Sequence, residues 1–207
     1  LRAVFAGLER DIISVPAPEI VRAVSDVKRI DEDMPVNQGK LVIGMRSGVT
    51  LHDPDYPAML MFNEIFGGGV TSKLFMNVRE KMSLCYYCSS SPDSYKGLLF
   101  VQSGIEVENR EVAETAINDQ LEAVRRGEFT EEEMRSAYLG LVNSYRELSD
   151  SARGLESWYL GRMLAGVGGA PDDVSERLSV VTKDEIIAAA KKSAVDTVYF
   201  LRGTLKG

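Results

Sequence analysis

Two cysteines, one histidine, a run of three glycines and an arginine–tyrosine spacing are the residues of this chain whose types could do chemistry. Cys85 and Cys88 stand in a C-x-x-C spacing within "MSLCYYCSSS". Such a pair serves as half of a metal site or as a redox couple only if both sulfurs converge. If residues 85–91 form a strand, successive side chains alternate between faces, so Cys85 and Cys88 are expected on opposite sides. A four-ligand zinc site also needs two further ligands, and the chain has one histidine and no third cysteine. A site completed by carboxylates or by a second chain stays open. The plainer reading is two small, buried, apolar residues. A redox or metal function would require bound metal, or a thiol well below the free value of about 8.5.

His52 is the one histidine and sits beside Asp53 and Asp55 in a turn. A surface loop residue is the expectation, and any mechanism needing two histidines on this chain is excluded. The stretch "FGGGVTSKLF" invites a phosphate-loop reading, but G-x-x-x-x-G-K-[ST] is absent, since Lys73 follows a serine. Gly67, Gly68 and Gly69 instead permit a tight connection between two helices. The acidic groups in "TEEEM" and "PDD" fall at helix starts, where negative charge complements the helix dipole. Arg79 lies near the end of a helix and Tyr86 opens the following strand. On spacing alone both are structural.

These residues must be positioned by a chain of 207 residues, enough for one large domain or two small ones. Its 44 % hydrophobic and 27 % charged residues are ordinary for a globular protein. A formal net charge of −7 with no Lys/Arg-rich stretch argues against nucleic-acid binding. No run of 18 apolar residues is present, so no membrane-spanning helix is expected. Two cysteines three residues apart cannot staple distant segments, and the expected compartment is reducing: the cytoplasm. The first residue is not methionine, which suggests a fragment or a processed chain.

Residues 1–36, with Pro16, Pro18 and Pro35, are expected to be a linker leading in from a missing N-terminal half. The domain is expected to span 37–207. "KLVIGMRSG" predicts a buried strand. Asp53 to Pro57 punctuate a helix start, with Met59, Phe62 and Phe66 at helical spacing. A second helix, capped by Thr71 or Ser72, carries Leu74, Val78 and Met82 on one stripe. "LCYYCSSS" and "GLLFVQSGI", separated by "PDSYKG", predict a hairpin. Val112, Ala116, Ile117, Leu121 and Val124 mark a further helix. Capping boxes Thr130-x-x-Glu133 and Thr182-x-x-Glu185 open two more. One of these carries Met134, Tyr138, Leu141, Tyr145 and Leu148, and the other Ile186, Ala189 and Ala190. Leu155, Trp158 and Tyr159 belong to a helix around 151–164, and "DTVYFLRG" closes the chain as a strand. The layout is α+β: a small, mixed, mostly antiparallel sheet with helices packed on one face.

"FNEIFGGGVTSKLFMNVREKMSLCYYCSSS" followed by "YKGLLFVQSGI", with "ARGLESWYL" and the closing "DTVYFLRG", resembles the C-terminal half of pitrilysin/insulysin-type zinc metallopeptidases. Mitochondrial processing peptidases belong to this family, and the nearest group is the YmfF-like inactive members. The resemblance runs from about Gly39 to Gly203. It implies a protein of two related α+β halves. The inverted H-x-x-E-H zinc motif belongs to the N-terminal half, and nothing here matches it. No metal ligand is therefore expected on this chain, and zinc is expected on a partner domain or chain. The same resemblance places Arg79 and Tyr86, within "REKMSLCY", on the family's arginine–tyrosine pair. It implies that Arg79 holds peptide backbone and Tyr86 hydrogen-bonds the scissile carbonyl across a closed chamber. Gly67, Gly68 and Gly69 map onto a glycine-rich loop implicated in substrate recognition, shorter here. Preorganised donors of this kind are each worth about 10²–10³ in rate. The implied function is the non-catalytic half of a peptide-processing metallopeptidase, dimeric with a zinc-bearing subunit or a homologous half and inactive by itself. A catalytically silent scaffold subunit is the alternative, and a C-x-x-C metal or redox protein a more remote one.

Overall fold

The structure is a computed structural model that describes residues 6, 7, 11 and 19–205. Pro16 and Pro18 lie outside the described residues. The clearest sequence signal becomes the centre of the sheet. Strand β2 (Gly39–Arg46) buries Leu41, Ile43 and Met45 and leaves the alternate residues more open. Strands β3 (Cys85–Asp93) and β4 (Leu98–Ile105) form the expected hairpin. Strand β5 (Ala194–Gly203) closes the chain, and β1 (Lys28–Met34) precedes it all. The order is β1-β5-β2-β4-β3, and among the described residues only β1 with β5 is parallel. The sheet is mixed and mostly antiparallel, as expected.

β1 falls inside the segment that the sequence reads as a linker, so the sheet begins before residue 37. Every residue of β1 is exposed, and its sequence KRIDEDM has no apolar alternation to betray a strand. Its backbone ladder with β5 holds it, and ion pairs flank that ladder. Arg29 pairs with Glu114, Asp31 with Arg110, and Asp33 with Arg202. A charged edge strand also resists pairing with another chain.

One face of the sheet is covered. Leu41, Ile43 and Met45 align with Val198 and Phe200 on one side and with Leu99, Val101 and Ser103 on the other. Against this face pack the helices. Helix α1 (Tyr56–Asn63) is buried on all sides, so its sequence is apolar all round rather than striped. It runs into a wide turn, Glu64–Gly68. Helix α2 (Leu74–Lys81) follows; Lys73 stands at its N-cap without a side-chain capping bond, and one residue earlier the Ser72 Oγ accepts the Phe75 N–H at 3.3 Å. Leu74 and Val78 of the expected stripe are buried, but Met82 is exposed. The reason is the winding: α2 is a π-type helix, ending with the Met82 N–H donating to the Asn77 carbonyl five residues back. The wider turn carries Met82 off the stripe.

Helix α3 (Arg110–Arg125) buries Ala113, Ala116, Ile117, Leu121 and Val124, whereas Val112 is exposed. Both capping boxes form. The Thr130 hydroxyl accepts the Glu133 N–H at 3.1 Å, opening α4 (Glu131–Ser149). Thr182 and Glu185 do the same for α7 (Lys183–Lys192). Between them lie α5 (Ala152–Ala165), stopped by left-handed Gly166, and α6 (Pro171–Leu178). Helix α6 begins at "PDD", the acidic run expected at a helix start, although no apolar stripe is read for it in the sequence. Its signals are a proline in the first turn and the Asp173 carboxylate accepting the Ala170 N–H at 2.7 Å.

Candidate functional site

The hairpin and α2 bring Arg79 and Tyr86 together. After α2, Ser83 takes a left-handed φ of 52°, which turns the chain sharply into β3. The turn folds Arg79 back onto the start of that strand. Its Nε donates to the Tyr86 main-chain carbonyl at 2.8 Å and its Nη1 to the Glu80 carboxylate at 2.7 Å. The guanidinium lies 4.7 Å above the Phe75 ring. The Tyr86 hydroxyl donates to the Glu106 carboxylate, just past β4. Arg79, Glu80, Ser83, Leu84, Cys85, Tyr86, Glu106 and Asn109 line one open cleft of about 420 Å³. Tyr86 is 50 % exposed, unusual for a tyrosine packed within a strand.

A β-bulge explains that exposure. Cys85 faces Ile105 and Tyr87 faces Gly104, so Tyr86 is an extra residue with no partner of its own. Tyr87 lies flat on Gly104, where a Cβ would come within 2.5 Å of its ring. The bulge also overturns the alternation argument for the cysteines. Past it the parity of the strand changes, so Cys85 opposite Ile105 and Cys88 opposite Ser103 share the covered face. The two thiols are neighbours on that face, and the Ser103 hydroxyl beside them donates to the Tyr87 carbonyl at 3.0 Å. A hydrogen bond from Cys88 lowers the Cys85 thiol to about 7 against the cost of burial, with Ser103 and the Arg79 charge assisting. Cys88, fully buried, is pushed up. The expectation of two small, buried residues holds for Cys88, whereas Cys85 is only half-buried.

The glycines do not line this cleft. Gly67 is buried, and a Cβ there would meet Ser90 N at 2.7 Å and Leu74 Cδ1 at 2.6 Å. It lets the wide turn after α1 touch β3. Gly68 and Gly69 lie against the Glu64 carboxylate. Burial alone pushes Glu64 above the usual carboxylate range. The folded state therefore binds this proton more tightly than the unfolded chain, and the ionised carboxylate costs stability at neutral pH. Glu64→Gln is expected to raise the melting temperature at pH 7. The gain should shrink as pH falls through the raised folded value and vanish below about 4, where wild-type Glu64 is protonated in both states. A gain that is constant with pH would reject burial of charge as its cause.

Lys73, the lysine of the rejected phosphate loop, is 9 % exposed and pairs with Glu133 at 2.9 Å. It ties the start of α2 to the capping box of α4. His52 is exposed. Among the described residues no three His, Cys, Asp or Glu side chains come close enough to hold a metal ion. Glu106, Glu80 and Asn109 are cleft residues the sequence reading missed. Glu106 is 20 residues from Tyr86 and meets it only through the pairing of β3 with β4, so no local pattern marks it.

Comparison with known proteins identifies the family. Residues 1–140 match the family described as "Peptidase M16 inactive domain". The chain is 44 % identical over 177 residues to the "Probable inactive metalloprotease YmfF" of Bacillus subtilis (strain 168), covering 86 % of this chain and 42 % of that protein. A conserved protein from Enterococcus faecalis V583 superposes with a TM-score of 0.82 at 34 % identity, over 89 % of this chain and 44 % of that one. A peptidase M16 inactive domain from Pseudomonas fluorescens shares the fold, with a TM-score of 0.74 at 20 % identity, over 94 % of this chain and 47 % of that one. The chain belongs to the M16 inactive-domain family, a zinc-protease-like group, and spans less than half the length of these relatives.

Proposed function

We propose that this chain is the half of a peptide-processing metallopeptidase that presents Arg79 and Tyr86 to a peptide, opposite a zinc site on another domain or chain. One observation carries the reading: the two side chains share an open cleft and are coupled by the 2.8 Å bond from Arg79 to the Tyr86 carbonyl. Two jobs are divided between them. The guanidinium has spare N–H groups for peptide carbonyls. The phenol, held by Glu106 in the resting state, swings to donate to a carbonyl oxygen as negative charge develops there. Of the glycine loop, exposed Gly68 is the part open to a peptide, while Gly67 serves packing.

The test is hydrolysis of a peptide by a zinc-bearing partner together with the full-length protein, wild type or Tyr86→Phe. Turnover is expected to fall by about 10²–10³ with the substitution. A partner equally active alone, or indifferent to the change, would sink the proposal. One observation favours a scaffold instead: Arg79 and Tyr86 already satisfy each other's surroundings through Glu80 and Glu106. On that reading the substitution alters stability and leaves turnover untouched.

A further inference from the structure

We propose that Cys85 is a reversible thiol-modification site, taking up half of a low-molecular-weight disulfide on the wall of the Arg79–Tyr86 cleft. Three placements carry this. First, the bulge at Tyr86 sets Cys85 and Cys88 on one face of β3, although their spacing in a regular strand would separate them. Second, the two are not equivalent. Cys88 is buried opposite Ser103, whereas Cys85 is half-buried and lines the open cleft. Third, the surroundings favour a thiolate at Cys85 and a thiol at Cys88. Cys88 is the neighbouring thiol on the same face, and Arg79, which lines the same cleft, adds positive charge from α2. The opposing charges that face the cleft are Glu80 on α2 and Glu106 beyond β4, with the Tyr86 phenol between them. Each carboxylate is engaged, Glu80 by Arg79 and Glu106 by Tyr86.

The step is a thiol–disulfide exchange. The Cys85 sulfur attacks one sulfur of RS–SR, forming a Cys85–S–S–R bond as the RS–SR bond breaks. The leaving thiolate carries off the electron pair and takes a proton from water. Cys85 is oxidised, one half of the reagent is reduced, and excess RSH reverses the exchange. Cys88 acts through Cys85 as a positioning donor. It lacks the access to be attacked itself. The adduct projects into the cleft beside Tyr86, so peptide access and thiol state become linked at this position. The modification itself does not depend on the peptide reading.

The experiment treats the native full-length protein with 5,5′-dithiobis(2-nitrobenzoate), an aryl disulfide, across pH 5–9. Released chromophore and the mass of the adduct are followed together. One fast equivalent mapped to Cys85, with a rate midpoint near 7, is the expected result. Cys88→Ala should move the midpoint toward the ordinary thiol value of about 8.5. It should slow the reaction at pH 7 roughly three-fold, because the thiolate fraction drops more than each thiolate gains in nucleophilicity. Arg79→Gln, which removes the neighbouring positive charge, should shift the midpoint the same way and serves if Cys88→Ala does not fold. Labelling of Cys88, or no labelling until the protein unfolds, would overturn the proposal. So would a midpoint that neither variant moves. Two equivalents released with no adduct retained would show Cys88 resolving the adduct, and would overturn its assignment as a donor.

Discussion

Phe62→Ala is expected to lower the unfolding free energy by about 3–5 kcal/mol, the range for removing a buried aromatic side chain. Phe62 has no exposed surface and sits on α1, the helix enclosed on every side. Its ring stacks on Phe66 with centroids 5.6 Å apart and planes 12° from parallel. Truncation thus removes transfer energy, leaves a void the size of a ring, and strips Phe66 of its partner. Neighbouring Phe66 belongs to the turn that carries Gly67 onto β3, so the void opens where α1 must keep its register with the sheet. Domains of this kind are stable by only about 5–15 kcal/mol, so the loss is a large share of the whole. Chemical denaturation followed through Trp158, the single tryptophan of the 207 residues, measures it. Val180→Ala is the control: Val180 is 75 % exposed, and its change should stay within about 0.5 kcal/mol. A Phe62→Ala loss no larger than that control would mean α1 is not the packed centre described here.

What the sequence made legible follows from how local each signal is. Capping boxes at Thr130 and Thr182 need only four consecutive residues, and both formed. The hairpin needed two β-rich runs and a turn, and it formed in the expected place. Strand β1 was hidden because its partners are charges on α3 and β5, so its own residues carry no period. Of helix α6 only the acidic start at "PDD" was legible, since eight residues are too few to show a clear apolar stripe. Val112 and Met82 were assigned to buried stripes and are exposed. In the first case the buried arc is set one residue over, at Ala113. In the second, the helix is wound more widely than 3.6 residues per turn.

The candidate site divides along the same line. Arg79 and Tyr86 were found only through a family resemblance, since an arginine near a helix end and a tyrosine in a strand are common. The relation between the cysteines was misread for a definite reason. Strict alternation holds in a regular strand, but the bulge arises from the register of β3 against β4, and nothing within "LCYYCSSS" announces it. Bulges recur beside functional sites because they re-aim one side chain. Here the re-aimed residue is Tyr86, and the parity change at Cys85 and Cys88 comes with it.

Arg79→Lys is expected to lower peptide turnover in the assembled enzyme about as far as Arg79→Ala, by roughly 10²–10³. Charge alone would predict a mild effect, but the geometry asks for more than charge. The side chain spends its Nε on the Tyr86 carbonyl, its Nη1 on Glu80, and its flat face on Phe75. A lysine ammonium is one compact donor on a flexible stem and can satisfy only one of these at a time. The carbonyl it abandons belongs to the bulged residue, so Tyr86 loses the bond that fixes its backbone. The loss should therefore overlap with that of Tyr86→Phe instead of adding to it, as residues in contact do. Steady-state kcat and KM for the two single variants and the double variant test this directly. If lysine restores turnover to within about three-fold of wild type, only the positive charge matters and the coupling to Tyr86 is wrong. If the two losses multiply, Arg79 and Tyr86 act independently, and the 2.8 Å bond between them is packing without consequence for the peptide.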